Sequence, residues 1–171
     1  MEVFILFFKT FVAIELLFFL LYLFINIYGI ILGNSNKFTY TNTYFQLPEL
    51  MYDALLNVNR YTEWMPGLIS IHNNDELSWF EKFEKQYSFK NRLIGKIDKS
   101  EISIQRISEK MNLVIERKFI FSKESNLTLL TIEDQFYYNK PYSRTLVHLF
   151  YKHKANMKNY MQCLESFLEK N

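Results

Sequence analysis

The 171-residue chain is long enough for about one domain, at the usual ~100–200 residues per domain, so one fold must account for nearly all of it. Of its 20 basic and 18 acidic side chains, only Lys9, Glu2 and Glu15 lie in residues 1–36. The remainder is nearly balanced in charge and lacks the dense Lys/Arg patch that a nucleic-acid binder needs, so no nucleic-acid partner is expected. A single cysteine, Cys163, excludes an internal disulfide and any cysteine-based zinc site.

The hydrophobic content is concentrated at the start of the chain. From Phe11 to Leu32 the only strongly polar interruptions are Glu15 and Asn26. At ~1.5 Å per residue this run reaches roughly 33 Å as a helix, which matches a ~30 Å hydrocarbon core, and Val3 to Phe8 extends it at one end. Glu15 lies near that end, where it can snorkel to the interface. A cleaved signal peptide would carry an apolar core of only ~7–15 residues, although Gly33 and Ser35 do stand where small residues precede a cut at Asn36. A buried core helix would have to hide a cylinder that is apolar on every side within one small domain. The expected organisation is a transmembrane anchor with a short linker over 1–36 and a globular domain over 37–171. Lys9 and the amino terminus on one flank, against Lys37 on the other, lean the topology toward a single-pass protein with its domain outside the cytoplasm.

After the polar Gly33-Asn34-Ser35-Asn36-Lys37 break, Phe38 to Leu47 alternates aromatic and Thr/Asn residues as a half-buried strand does. Pro48 suits a first helical turn, and Leu50, Met51, Ala54, Leu55 and Val58 continue at helical spacing, which predicts a helix over 48–58. A short helix with Asn59 as N-cap and Arg60 to Met65 behind it should follow, ended by Pro66-Gly67. Strands are predicted over Leu68–His72, Trp79–Phe89, Ile94–Ile107, Leu113–Ser122 and Leu127–Tyr138. Segment 77–87 also fits a helical stripe, because periodicity alone does not arbitrate there. From Pro141, with Ser143 as candidate N-cap, Leu146, Phe150, His153, Met157, Met161, Leu164 and Leu168 recur at steps of three and four and predict one long amphipathic helix.

This order of elements, with LPELMYDALLNVNRYTEWMPGLISI over Leu47 to Ile71, resembles the START-like (SRPBCC) superfamily of polyketide cyclases, lipid-transfer domains and coenzyme Q-binding proteins. The positions that carry the resemblance are Pro48, Met51, Tyr52, Asp53, Ala54, Leu55, Arg60, Tyr61, Trp64, Pro66 and Gly67, and it extends through Leu127 to Phe136 and the final helix. It implies an α+β helix-grip fold, in which a curved antiparallel sheet wraps around a long C-terminal helix and leaves an apolar cavity between them. The aromatic content of 18% agrees with a cavity, but equally with a solid core.

The candidate cavity residues are Phe119, Ile132, Phe136, Phe150, His153, Met157 and Met161. His153, the only histidine on the apolar stripe, is either a ligand neighbour or a core histidine bonded to a neighbour. His72 and His148 have no partner at metal-ligand spacing, and neither a metal nor a cofactor is expected. Leu113, Ile115, Arg117, Phe119 and Phe121 share one strand face, and Leu130, Ile132, Asp134, Phe136 and Tyr138 share another. A turn centred on Ser125-Asn126 brings Arg117 opposite Asp134. That pair is either structural, two charges neutralising each other, or a polar anchor for a ligand head group. Asp53 and Glu63 read as surface acids, and the Asn126-Leu127-Thr128 sequon has no support from its context. The expected function is a membrane-anchored, non-enzymatic module that binds a lipid, isoprenoid quinone or polyketide-like molecule. The alternatives are a cyclase/aromatase-type enzyme using Arg117, Asp134 and His153, or a membrane-tethered protein-interaction domain.

Overall fold

The computed structural model describes residues 2–84, 87–150 and 152–170. The chain divides into two compact units, one of Met1–Asn34 with Tyr138–Tyr151 and one of Ser35–Tyr137 with Lys152–Asn171.

The first unit is built on α1 (Glu2–Ile31), whose Leu, Phe and Ile side chains are exposed along its length. Within it Phe7–Ile31, with a mean hydropathy of 2.3, is long and apolar enough to cross a membrane. Gly33, in the left-handed region at φ 78°, closes the helix, as a residue without a Cβ does at low cost. The other element is α4 (Pro141–Phe150), numbered in chain order. It starts at Pro141 itself, so Ser143 falls inside the first turn and is not the cap. Thr145 Oγ1 donates to the Ile25 carbonyl at 2.6 Å and Arg144 Nη1 to the Gly29 carbonyl at 3.1 Å. A Cβ on Gly29 would collide with the Pro141 carbonyl, so this contact requires glycine there.

The second unit holds β1 (Ser35–Tyr44), α2 (Pro48–Leu56), a 3-10 turn (Val58–Arg60), α3 (Tyr61–Trp64), β2 (Leu68–Asn73), β3 (Ser78–Phe83), β4 (Ser88–Ile97), β5 (Glu101–Ser108), β6 (Leu113–Glu124), β7 (Leu127–Tyr138) and α5 (His153–Leu168). The strands form one antiparallel sheet in the order β1-β7-β6-β5-β4-β3-β2. Sheet residues Phe119, Leu130 and Ile132 join Tyr61 and Trp64 of α3 and Met157, Tyr160, Met161 and Leu164 of α5 in one core. Alternate residues are buried from Leu113 to Phe121 on β6 and from Thr128 to Tyr138 on β7, as the period of two requires. Bulges between Leu68 and Ser70 and between Leu93 and Gly95 shift the register on β2 and β4.

Several expected boundaries move. The presumed linker residues Ser35-Asn36-Lys37 begin β1, paired with Tyr137, Phe136 and Gln135 of β7. The helix expected over 48–58 stops at Leu56, and Asn59 lies within the 3-10 turn and caps nothing. The strand expected over 79–89 is β3 followed by β4, and the one expected over 94–107 is β4 followed by β5. The second break is a turn at Asp98-Lys99-Ser100, with Lys99 in the left-handed region at φ 54°. The single long helix expected from Pro141 is α4 followed by α5, because Lys152 leaves the helical region at φ −85°, ψ 71°. No Pro or Gly marks this break. The two segments bury different faces in different partners: α4 turns Thr145 to α1 and leaves Leu146 exposed, whereas α5 buries His153, Met157, Tyr160, Met161 and Leu164.

Candidate functional site

Alternation along the strands carries polar side chains onto the inner face of the sheet as well as apolar ones. On β6 and β7 these are Arg117 and Asp134, 4% and 0% exposed. The hairpin turns at Ser125-Asn126, with Ser125 at φ 57°. Arg117 Nε donates to Asp134 Oδ1 at 2.7 Å and Arg117 Nη2 to Oδ2 at 2.8 Å, a bidentate pair. His153 Nδ1 stands 3.6 Å from the same Oδ2, at the start of α5. The imidazole stacks on Phe38, the residue facing Asp134 across β1, at 4.8 Å, and meets the edge of Phe136 at 6.2 Å. Burial pushes the His153 pKa below its ordinary value. Asp134 pulls the other way and Arg117 adds to the depression.

A second cluster lies on β3, β4 and β5. Glu81, 1% exposed, accepts from Trp79 Nε1 at 2.8 Å and from Arg106 Nη2 at 2.6 Å. Arg106 Nε donates to Asn91 Oδ1 at 3.0 Å, its guanidinium lying 4.5 Å above the Phe89 ring. Asn91 faces Arg106 directly across the β4/β5 ladder and Trp79 across the β3/β4 ladder.

The two clusters border one small cavity of about 10 Å³, where Glu81, Asn91 and Arg106 meet Arg117, Phe119 and the rings of Tyr61 and Tyr160. Such a space is about one water molecule in size. Burial raises the Tyr61 and Tyr160 pKa values, so both hydroxyls stay protonated. The Tyr61 hydroxyl donates to the Leu55 carbonyl, and the Tyr160 ring lies 5.4 Å from the Arg117 guanidinium. Each arginine has its own carboxylate, so the two clusters together carry no net charge, although Asp134 stands behind Arg117 and does not itself line the cavity. A larger pocket of about 310 Å³ opens beside it between Leu55, Val58, Asn59, Asn73 and Leu93. Trp79 and Ile104 line both spaces and so stand between them.

Of the expected cavity residues, Phe119 lines the small cavity together with Arg117. Ile132, Met157 and Met161 are packed in the core, and Phe136 packs on Phe38 and His153. Phe150 is the last residue of α4, and its side chain lies outside what the structure describes. Arg117, Asp134 and His153 do converge, but on one another, and only Arg117 reaches the cavity. Asp53 and Glu63 are exposed, with Glu63 held by Arg60 at 2.8 Å. Among the described residues no group of three or more His, Cys, Asp or Glu could hold a metal. Glu81, Asn91 and Arg106 were not foreseen. Glu81 and Asn91 each interrupt a period-two apolar pattern as Arg117 does, and Arg106 ends the one begun by Ile102 and Ile104; that change is the signal that could have found them.

No family profile matches the sequence, and no curated protein matches it significantly. Solved structures do match in three dimensions. Truncated norcoclaurine synthase from Thalictrum flavum superposes with a TM-score of 0.66 at 7% identity, over 80% of this chain and 95% of its own. An uncharacterized protein from Bacillus thuringiensis gives 0.60 at 14% identity, over 78% and 99%. The two-domain aromatase/cyclase StfQ of the steffimycin biosynthetic pathway gives 0.62 at 10% identity, over 80% of this chain and 52% of its own, so this chain spans about half of StfQ. The chain has the helix-grip fold. In helix-grip terms, α5 is the gripped helix, and both polar clusters lie on the gripping face of the sheet. At these identities the likeness extends to the fold alone.

Proposed function

We propose that this protein is a membrane-anchored, non-enzymatic module that binds an uncharged hydrophobic molecule between the sheet and α5. The observation that carries the reading is the charge balance of an otherwise aromatic interior. The pairs Arg117 with Asp134 and Arg106 with Glu81 neutralise each other, so the polar clusters around the place where a ligand's polar end would rest carry no net charge. A ligand bringing its own charge would add an uncompensated buried ion, at a cost of several kcal/mol. Growth of the small cavity would begin by displacing Trp79 and Ile104, which would join it to the pocket beside Leu55 and Val58. Solved neighbours named as a norcoclaurine synthase and an aromatase/cyclase support a small organic ligand for this fold. Phe7–Ile31 supports the anchor, which would supply a membrane-soluble ligand at high effective concentration.

The chain's two tryptophans, Trp64 and Trp79, belong to the core around this site, so their emission reports on it. The detergent-extracted full chain, titrated with octanol, octanoate and octylammonium, should show a saturable shift with octanol. The two charged analogues should bind at least about tenfold more weakly. No response to any of the three refutes the binding reading. Equal or tighter binding of octanoate refutes the preference for uncharged ligands while leaving a hydrophobic site in place.

The convergence of Arg117, Asp134 and His153 favours a second reading, a cyclase-type enzyme with buried acid and base groups. Chemical change of a co-extracted molecule on incubation with the native chain, but not with His153→Gln, would select it.

A further inference from the structure

The helix α4 presents an unusual combination. Hydrogen bonds from its Thr145 and Arg144 to α1 end on the carbonyls of Ile25 and Gly29, both inside the apolar stretch Phe7–Ile31. The ring of Tyr28 meets His148 edge-on at 6.0 Å, and the Gly29 backbone is in close contact with Pro141. Gly29 and Ile25 lie only about half a turn and just under two turns from the end of the stretch, roughly 3 and 9 Å along the axis at ~1.5 Å per residue. If α1 crosses a bilayer, α4 is fixed at the depth of the headgroup and upper acyl layer, not in water. Its composition suits that depth. Leu146 and Leu149 are 43% and 55% exposed. Arg144 and the exposed Lys140 have no carboxylate partner among the described residues, and α4 contains no acidic residue. Indeed no Asp or Glu occurs from Gln135 to Leu164, while Lys140, Arg144, Lys152, Lys154 and Lys158 all do. A short helix with exposed leucines, basic flanks and an aromatic neighbour is the composition of an interfacial segment that favours anionic lipid.

We infer that Pro141–Phe150 is a second membrane-contacting element, an interfacial helix that rests on an anionic bilayer surface, with Leu146 and Leu149 in the acyl boundary and Lys140 and Arg144 at the lipid phosphates. The inference rests on the reading of α1 as a membrane span. It gives the exposed leucines a solvent that matches them and explains why Gly29, near the end of an apolar helix, is the one position kept free of a side chain for close approach. It also makes retention of α1 part of the structure, because a chain cut at Asn36 would lose the helix that positions α4.

The test uses the full chain reconstituted in vesicles of phosphatidylcholine and phosphatidylglycerol. In a Cys163→Ser background, single cysteines replace Leu149, Leu20 in mid-span and Lys123 at the exposed end of β6, and each carries an environment-sensitive fluorophore. The label at Leu149→Cys should emit to the blue and be quenched more by shallow than by deep spin-labelled lipid. Leu20→Cys should show the reverse order, and Lys123→Cys should emit as in water. Quenching at Leu149→Cys should weaken at least about twofold when phosphatidylglycerol is omitted, as charge attraction to the basic flanks requires. Aqueous emission at Leu149→Cys with normal quenching at Leu20→Cys overturns the inference and leaves the anchor standing. Aqueous emission at both positions overturns the anchor and the inference together. Depth-dependent quenching at Leu149→Cys that ignores lipid charge keeps the interfacial helix and overturns its preference for anionic lipid.

Discussion

Asp134→Asn tests whether the interior around Arg117 is as dry as its geometry implies. The carboxylate accepts two bonds, of 2.7 and 2.8 Å, from a guanidinium that is 4% exposed. Hydrogen bonds to charged groups contribute roughly 1.5–3 kcal/mol each, and removing one partner of a buried pair costs about 3–5 kcal/mol, because the other charge stays buried. Asparagine keeps the shape and one acceptor, so a loss of about 3 kcal/mol is expected, with Asp134→Ala near about 5 kcal/mol. The apolar double replacement Arg117→Met with Asp134→Leu should recover most of that loss, since neither charge is then stranded. Urea unfolding of the full chain in mild detergent, followed by the emission of Trp64 and Trp79, measures each value. At a slope of ~1–3 kcal/mol per molar urea, the Asn variant should move the midpoint by about 1–3 M. A loss below about 1 kcal/mol, with the double variant no better than the single, would refute the reasoning. It would mean that water solvates Arg117 in the folded state, and the small cavity would then be the closed form of a wider, wetter space.

The remaining expectations are shorter. Met157 and Phe119 are 4% and 1% exposed in the same core, so Met157→Ala should cost about 2–5 kcal/mol and Phe119→Ala about 3–5 kcal/mol in the same urea assay. A Met157→Ala loss below about 1 kcal/mol would place that side chain beside open space. The depressed His153 pKa means that the unfolded chain binds this proton more readily than the folded one. Stability should therefore decline as pH falls through about 6.5, and the decline should flatten in His153→Gln; a native chain equally stable at pH 7.5 and 5.5 would contradict it. Gly29→Ala forces a methyl into the Pro141 carbonyl. Amide exchange in Pro141–Phe150 should then speed up at least about tenfold while the strands keep their protection, and unchanged exchange would show that the close approach is not maintained.

How much was legible in the sequence differs by element, for physical reasons. The turn at Ser125-Asn126 and the meeting of Arg117 with Asp134 could be read in advance, because a two-residue turn fixes the register and alternation fixes the face. The long apolar helix α1 was legible from composition alone. The breaks at Lys99 and Lys152 were not, because neither is marked by Gly or Pro: a lysine in the left-handed region carries no compositional flag, and the apolar stripe runs through Lys152 unbroken. Periodicity reports which face is apolar, but not which partner that face meets. Leu146 and Met157 look alike in sequence, and one is exposed on α4 while the other is buried on α5.

The two inner ion pairs show the same limit and explain the residues that carry them. Arg117 and Asp134 sit on adjacent strands ~4.8 Å apart, so the short aspartate suffices and local register predicts the pair. Glu81 and Arg106 sit on β3 and β5 with β4 between them, a gap of roughly 9–10 Å that an Asp with a Lys would span poorly but a Glu with an Arg fork can close. Asn91 on the intervening strand takes the Nε hydrogen that the fork would otherwise leave unbonded, and Trp79 donates to the other carboxylate oxygen. Three strands must be in register before the Arg106–Glu81 pair closes and the cluster is complete, and β4 carries a bulge between Leu93 and Gly95, just beyond Asn91. The cluster is therefore set by tertiary pairing that no single segment encodes. A residue such as Glu81 looks like an ordinary solvated acid in the sequence until the sheet is assembled around it.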